Sequence, residues 1–433
     1  MSKPIYTFLS IALLVWGDIQ AQMIQKKDPP VVSTEKEKKI VVPVKKKAQS
    51  NSITVNKPVG PLVAQLNYEF VRNPVIGTFA DINNISVAPS LIMALKSDGT
   101  LWGWGYNSLD PYGTAKGLMS DIPVQILSQH RWKKIAIGYD YNFYGIRADG
   151  TLWALGKSNS GQLGIGVMTD NDYTFPLIQI GKDQGWESLA TGRGFVLALK
   201  TDGTLWGWGA NRSGQLGNGK YGDTVTAPVQ VNNINQWTMI SGGTAHVLAL
   251  KKDGSLWGWG SDYSGVLGFD KGNYFYYYAK QIGVDKDWIY VSTYASSSFG
   301  IKKDGSLWAW GYNKVNNLGI GPDTSARYAP VRMDNSIKWV KVHTSGQQTI
   351  ALDENGRAWV WGFNVSNKPQ LVSVDHLFKD VFSGGRSFFG IKHDGTLWSW
   401  AYDSYNKNVG LGDPVKLSKQ PQQVARSLLS FEK

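Results

Sequence analysis

The residues that could hold a metal or move a proton are few in this 433-residue chain. It has no cysteine, so disulfides and thiolate sites are excluded. Its five histidines, His130, His246, His343, His376 and His393, are scattered through the sequence. His130 and His376 each stand two residues before an aromatic residue, but no three histidines share a register that would let them meet one ion. "GNGKYG" (217–222) satisfies G-x-G-x-x-G, yet no helical pattern follows to place an amino terminus under a pyrophosphate. "LGKS" (155–158) lacks the first glycine of a phosphate loop, because Thr151 stands there. "DND" (170–172) has none of the remaining calcium-loop positions. The carboxylates that recur from unit to unit, Asp98, Asp149, Asp202, Asp253, Asp304 and Asp394, sit in Asp-Gly pairs, which turn geometry explains. No catalytic, cofactor or metal residue is expected.

Residues suited to recognition are more concentrated. Tyr274, Phe275, Tyr276, Tyr277 and Tyr278 are consecutive, and an extended strand cannot turn all five inward. At least two should be exposed, and exposed Tyr and Phe suit protein or sugar contacts. Tyr139, Asp140, Tyr141, Arg193, Tyr294, Gln347 and Arg386 recur at comparable positions along the chain. Together they would make an aromatic and basic patch.

A repeated unit must position these groups. "DGTLWGWG" occurs at 98–105 and again at 202–209, with near copies at 149, 253, 304, 355 and 394. The glycines at 99, 150, 203, 254, 305, 356 and 395 are spaced by 51, 53, 51, 51, 51 and 39 residues. A period near fifty signals a propeller or solenoid. The best copy reads as strand A (237–243), strand B (246–252), a two-residue Asp253-Gly254 hairpin turn, strand C (255–260) and, after a loop, strand D. Seven units of four antiparallel strands predict an all-β, seven-bladed β-propeller with repeat units over 79–424. Trp257 and Trp259 share one face of strand C, so wide rings should fill the wedge between blades. In such blades the A–B and C–D loops share one face, where sequence varies and a partner is expected. The Asp-Gly face looks uniform. "NPVI" (73–76) and "QPQQV" (420–424) read as strand D and "SLLSF" (427–431) as the opening of a strand A, which predicts that the two termini meet in one blade and latch the ring. The sixth unit loses its Gly-rich loop, which predicts a notch in the rim.

"SGQLGNG" (213–219), "SGQLGIG" (160–166) and "SGVLG" (264–268) resemble the Gly-Gln-Leu-Gly signature of the regulator-of-chromosome-condensation repeat family. The resemblance implies a seven-bladed propeller whose faces bind macromolecules, with no single function. The Gly-Trp-Arg-His-Thr type motif of the family's light receptor is missing. An apparent export signal and the D-G-T-L-W wording make the chain most similar to exported bacterial members.

That signal is Lys3 followed by an apolar run over 5–17, too short to cross a bilayer comfortably. Residues 1–22 are therefore expected to be a signal peptide, 23–60 a disordered Lys/Pro-rich linker and 61–433 the propeller. Half of the net charge of +12 lies in the first sixty residues, so the linker could touch a membrane or another anionic surface. The repeats carry no basic stripe, and nucleic acid is not expected as a partner. The expected function is an exported, monomeric, non-catalytic scaffold that is periplasmic, cell-surface or secreted. A protein is the expected partner, with a glycan or envelope polymer as the other. The alternatives are an envelope-associated enzyme acting on polysaccharide, which would need two carboxylates ~5–10 Å apart, and a nucleotide-exchange regulator.

Overall fold

Seven four-stranded antiparallel sheets follow one another along the chain, each made of consecutive strands in the order A-B-C-D. The computed structural model describes residues 79–106, 119–169, 173–270, 273–333, 336–402 and 418–424. Blade one comprises Ile82–Val87, Leu91–Lys96, Leu101–Tyr106 and Met119–Ile126. Blade four comprises Trp237–Gly242, His246–Lys251, Leu256–Ser261 and Phe275–Gln281. Blades two, three, five, six and seven occupy 132–179, 186–230, 288–332, 339–371 and 380–423. Strand A of each blade lies against strand A of its neighbours, so the A strands surround the axis and the D strands form the rim. The fold is an all-β, seven-bladed propeller. The expected signal peptide, linker and 61 boundary lie outside the described residues, as do 73–76, 170–172 and 427–431.

The repeated wording has a local cause. In blade two Asp149 Oδ1 accepts from the Thr151 amide (2.9 Å) and hydroxyl (2.6 Å). Thr151 Oγ1 in turn accepts the Trp153 indole N–H at 2.9 Å. The same Asp–Thr/Ser–Trp relay recurs in blades one, three, four, five and seven. Blade six replaces it with Asp353, which accepts from both Trp359 and Arg357. The turn differs from the two-residue hairpin expected. Lys251 N–H donates to the Ser255 carbonyl across three residues, and Gly254 takes φ +80°. The extra residue is what gives the aspartate its reach to residue i+2.

The second tryptophan of strand C joins one blade to the last. Trp259 is fully buried in a cluster with Leu197, Leu205 and Leu216 of blade three, whereas Leu256 faces blade five with Trp288 and Trp310. Its indole N–H donates to the Gln215 carbonyl of the preceding blade at 3.0 Å. Gly217 lies against the same ring, and a Cβ there would sit 2.7 Å from Nε1. Trp208, Trp310 and Trp361 repeat the bond to the carbonyls of Gln162, Val266 and Asn317, all at 2.9 Å. The Gly-Gln-Leu-Gly loop is thus a cap for the next blade's tryptophan. Strand C's first tryptophan packs edge-on against strand A's, and a strand B cation covers both: Lys251 lies 3.5 Å from the Trp257 ring centre and 5.2 Å from that of Trp237.

Pro123, Pro176, Pro228, Pro330 and Pro369 lie in outer strands, and Pro421 just precedes one. Proline removes a donor from an exposed edge and discourages pairing with other chains. Blade four alone has none in strand D. There, as at Thr226, Tyr328 and Asn367 of blades three, five and six, the preceding blade's loop covers the edge: Gly219 N–H donates to the Tyr277 carbonyl and Asn218 bridges Tyr278. At the seam between blades seven and one, Phe79 and Val424 share a buried cluster. Leu397 N–H reaches the Phe79 carbonyl and Ile82 N–H the Gly395 carbonyl. The first and last described residues therefore meet, while blade seven itself is built from its own four consecutive strands.

Candidate binding surface

The structure separates the twelve candidate residues into two regions of the A–B/C–D face. Tyr139, Asp140, Tyr141, Arg193, Tyr294, Gln347 and Arg386 belong to A–B turns, or in the case of Tyr294 to the last residue of strand A, and surround the axis. Tyr274 to Tyr278 lie three strands farther out, at the start of blade four's rim strand.

Around the axis the turns touch one another. The rings of Tyr139 (blade two) and Tyr294 (blade five) stack 4.4 Å apart at 14°. Ala295 N–H donates to Tyr139 Oη at 2.7 Å, which joins blades on opposite sides of the ring. Burial, then the adjacent Tyr294, pushes the Tyr139 hydroxyl well above the usual phenol range. Burial likewise pushes up the Tyr294 hydroxyl. Ser90 of blade one donates to Tyr141 Oη at 3.1 Å. Burial raises the Asp140 carboxyl, and the Arg193 cation opposes that shift. These groups make a closed polar-aromatic plate across the axis rather than an open mouth. Asp140 is the one carboxylate in the seven A–B turns. Among the described residues no three His, Asp or Glu side chains group to hold a metal.

Blade six, where a notch is expected, has the shortest C–D connection among the described residues. Its C–D connection shrinks to a tight hairpin at Phe363–Val365, and the Arg386 guanidinium lies 5.4 Å from the Phe363 ring centre. Gln347 contributes its carbonyl to Phe363 N–H. "GNGKYG" proves to be the loop that caps Trp259 and reaches blade four's rim, with no helix behind it.

At the rim of blades three and four the aromatic run divides by alternation. Tyr276 turns inward against Phe269, 4.4 Å between centroids. Tyr277 stacks on Tyr221 from the blade-three loop at 4.5 Å and 18°, and Phe275 lies parallel beyond it at 6.4 Å and 5°. Tyr274, Phe275 and Tyr278 remain 57%, 37% and 68% exposed, and Tyr221 62%. Three of the five are thus exposed, against at least two expected. Tyr221 was not among the residues singled out in the sequence. Its stacking depends on a contact between units that no single repeat reveals.

The Asp-Gly face is less uniform than its repeated turns suggest. A groove of about 380 Å³ opens there between blades four and five, lined by Thr238, Met239, Leu250, Lys251, Lys252, Gly254, Trp288, Ile289 and Lys303. The sequence signal was present: only the fourth and fifth units read "KKDG".

Comparison with known proteins agrees with this architecture. The model of the regulator of chromosome condensation (RCC1) repeat matches residues 202–250 and 304–352, and a second model of the same repeat matches 186–215 and 238–266. The ultraviolet-B receptor UVR8 of Arabidopsis thaliana is 27% identical over 65% of this chain and 64% of its own length. The human E3 ubiquitin-protein ligase HERC2 is 26% identical over 66% of this chain, which spans only 6% of that ligase. Among solved structures, human WBSCR16 is similar with a TM-score of 0.63 at 18% identity, covering 71% of this chain and 86% of its own. Yeast RCC1 (Prp20) in complex with Kap60 is similar with a TM-score of 0.61 at 18% identity, covering 70% and 78%. At such identities the structures speak to the fold alone.

Proposed function

We propose that this chain, a propeller of RCC1 repeats, is a non-catalytic scaffold that binds another protein through its A–B/C–D face, at the rim of blades three and four. The observation that carries the reading is the exposed group Tyr221, Tyr274, Phe275 and Tyr278. Large exposed aromatic groups on a rigid scaffold are uncommon without a contact to serve. Relatives point the same way: solved structures similar to this chain include yeast RCC1 bound to Kap60 and Prp20p, described with its binding to Gsp1p and histones. The parallel rings of Tyr221, Tyr277 and Phe275 favour a second reading, a glycan stacked on the same aromatics. We place the protein outside the cytoplasm, on the strength of Lys3 and the apolar run that follows it.

The test is affinity capture from envelope and secreted fractions by the parent and by Tyr274→Ser/Tyr278→Ser. A protein held by the parent and lost by an equally stable variant supports the reading. Equal capture by both, or capture of none, counts against it.

A further inference from the structure

We propose that the groove between blades four and five on the Asp-Gly face binds a small amphipathic organic anion. This goes beyond the scaffold reading and uses the opposite face. Its volume, about 380 Å³, falls in the range of small-ligand sites. Met239, Leu250, Trp288 and Ile289 form an apolar floor, three lysines stand at its edge, and no carboxylate is in its lining.

The lysines are not equivalent. Lys251 is held over the Trp257 ring and serves the blade's own packing. Lys252 and Lys303 are exposed and form no ion pair among the described residues. The nearby acids are engaged elsewhere: Asp253 with Lys286 at 3.1 Å, and Asp285 and Asp287 with Lys302 at 2.6 and 3.2 Å. The Trp288 indole N–H is buried without an acceptor. Trp132, Trp186 and Trp237 share that feature, so the orphan donor alone does not single out this seam.

The lysine pair does. The residue before each Asp-Gly or Asn-Gly is Ser97, Ala148, Thr201, Lys252, Lys303, Glu354 and His393 in turn. Two cations therefore stand on adjacent blades and flank one groove, with an apolar floor between them. An anionic head group between Lys252 and Lys303 and a flat or aliphatic body on Met239 and Ile289, the accessible part of a floor whose Leu250 and Trp288 are buried, satisfies both halves. A bare inorganic anion would leave the floor unused.

The probe is 8-anilinonaphthalene-1-sulfonate, titrated by fluorescence into the full chain at low ionic strength. Saturable binding at one site is expected, displaced by 2-naphthoate and not by an equal concentration of inorganic phosphate. Lys252→Gln/Lys303→Gln should weaken it about tenfold at an unchanged melting temperature, since each exposed charge contributes modestly. Tyr274→Ser/Tyr278→Ser should titrate like the parent, which separates this outcome from that of the scaffold reading. Equal affinity in the lysine variant, non-saturable binding, or displacement by phosphate as effective as by naphthoate would each overturn the proposal.

Discussion

The seam between blades three and four and the seam between blades six and seven are built from the same repeat and finished differently. At the first, the Gly-Gln-Leu-Gly loop lays Gly217 on the Trp259 ring and offers the Gln215 carbonyl to its indole N–H. At the second, blade six has no such loop. Trp400 is just as buried, yet its Nε1 has no acceptor among the described residues. The ring there is covered by Phe378 and Phe388, stacked 5.6 and 6.0 Å away. Four seams carry the hydrogen bond, at Trp208, Trp259, Trp310 and Trp361, while Trp104 and Trp400 are as fully buried with no acceptor among the described residues, so burial rather than the bond is what these six tryptophans share. Blade two shows the converse economy: Leu155 stands in place of the second tryptophan, so there is no indole to cap.

Acid should act most strongly, and mainly on the seams that carry a buried histidine. His246 is 2% exposed, its Nε2 pairs with Thr293 Oγ1 across the seam of blades four and five, and burial lowers its pKa to about 3. A histidine lowered in the folded state is protonated first in the unfolded chain. Stability is therefore complete above about pH 6.5 and is lost as pH falls toward 3. At pH 4 the loss from His246 is about 3 kcal/mol. His343 at the seam of blades six and seven is lowered to about 3 as well, by burial and then by Lys341, and its Nδ1 accepts from Ser383 N–H, so it adds to the acid sensitivity at that seam. Blade three places Phe195 at the position of His246, so His246→Phe should fold. Melting temperature measured from pH 7 to 4 should fall steeply in the parent and less in that variant. Parallel curves would show that His246 is not the acid-sensitive group. The turn aspartates enter only at lower pH. Asp149 and Asp202 are held below the usual range by the Thr hydroxyl bond first, so their contribution is lost only as pH drops through those lowered values.

The loop's contact with the ring can be tested on its own. Gly217 (φ +66°) and Gly222 (φ +90°) both occupy the left-handed region, so an added methyl strains each backbone alike. Only Gly217 would meet the Trp259 ring; at Gly222 nothing lies within 4 Å. Gly217→Ala should cost about 1–3 kcal/mol more than Gly222→Ala in urea unfolding, the penalty of overpacking a full core. Equal costs would mean that the loop moves aside freely and does not clamp the ring.

The sequence carried the fold because its signal is local and repeated. The fifty-residue period, the Asp-Gly turns and the alternation of Trp257 with Leu256 each recur within one unit. What lay between units was harder to read. The pairing of Trp259 with Gln215 recurs in four units but joins one repeat to the next, 44 residues apart, and the stack of Tyr221 on Tyr277 joins residues 56 apart with no periodic pattern to link them. The cross-axis pair Tyr139–Tyr294 lies 155 positions apart, so a patch near the axis was foreseeable but its closure into a plate was not. The missing loop of blade six was visible as a short spacing of 39. Its effect on Trp400, a ring packed by Phe378 and Phe388 with no described acceptor for its indole, depends on which side chains surround it. The lysines at 252 and 303 were in plain view, but they gain meaning only when two blades stand side by side.

The smallest effect is the one that separates the two seams most cleanly. Trp259→Phe and Trp400→Phe remove similar ring area from equally buried sites, so the apolar cost is shared. Trp259→Phe also leaves the buried Gln215 carbonyl without its donor, whereas Trp400→Phe removes an N–H that was already unpartnered. An unmade buried hydrogen bond costs about 1 kcal/mol or somewhat more, and deleting an orphan donor returns part of that. Trp259→Phe should therefore be the more destabilising by about 1 kcal/mol in urea unfolding, with equal m-values showing that both variants unfold as one unit. A reversed order would mean that the Trp400 indole has an acceptor in solution, and the contrast between a capped and an uncapped seam would then fail.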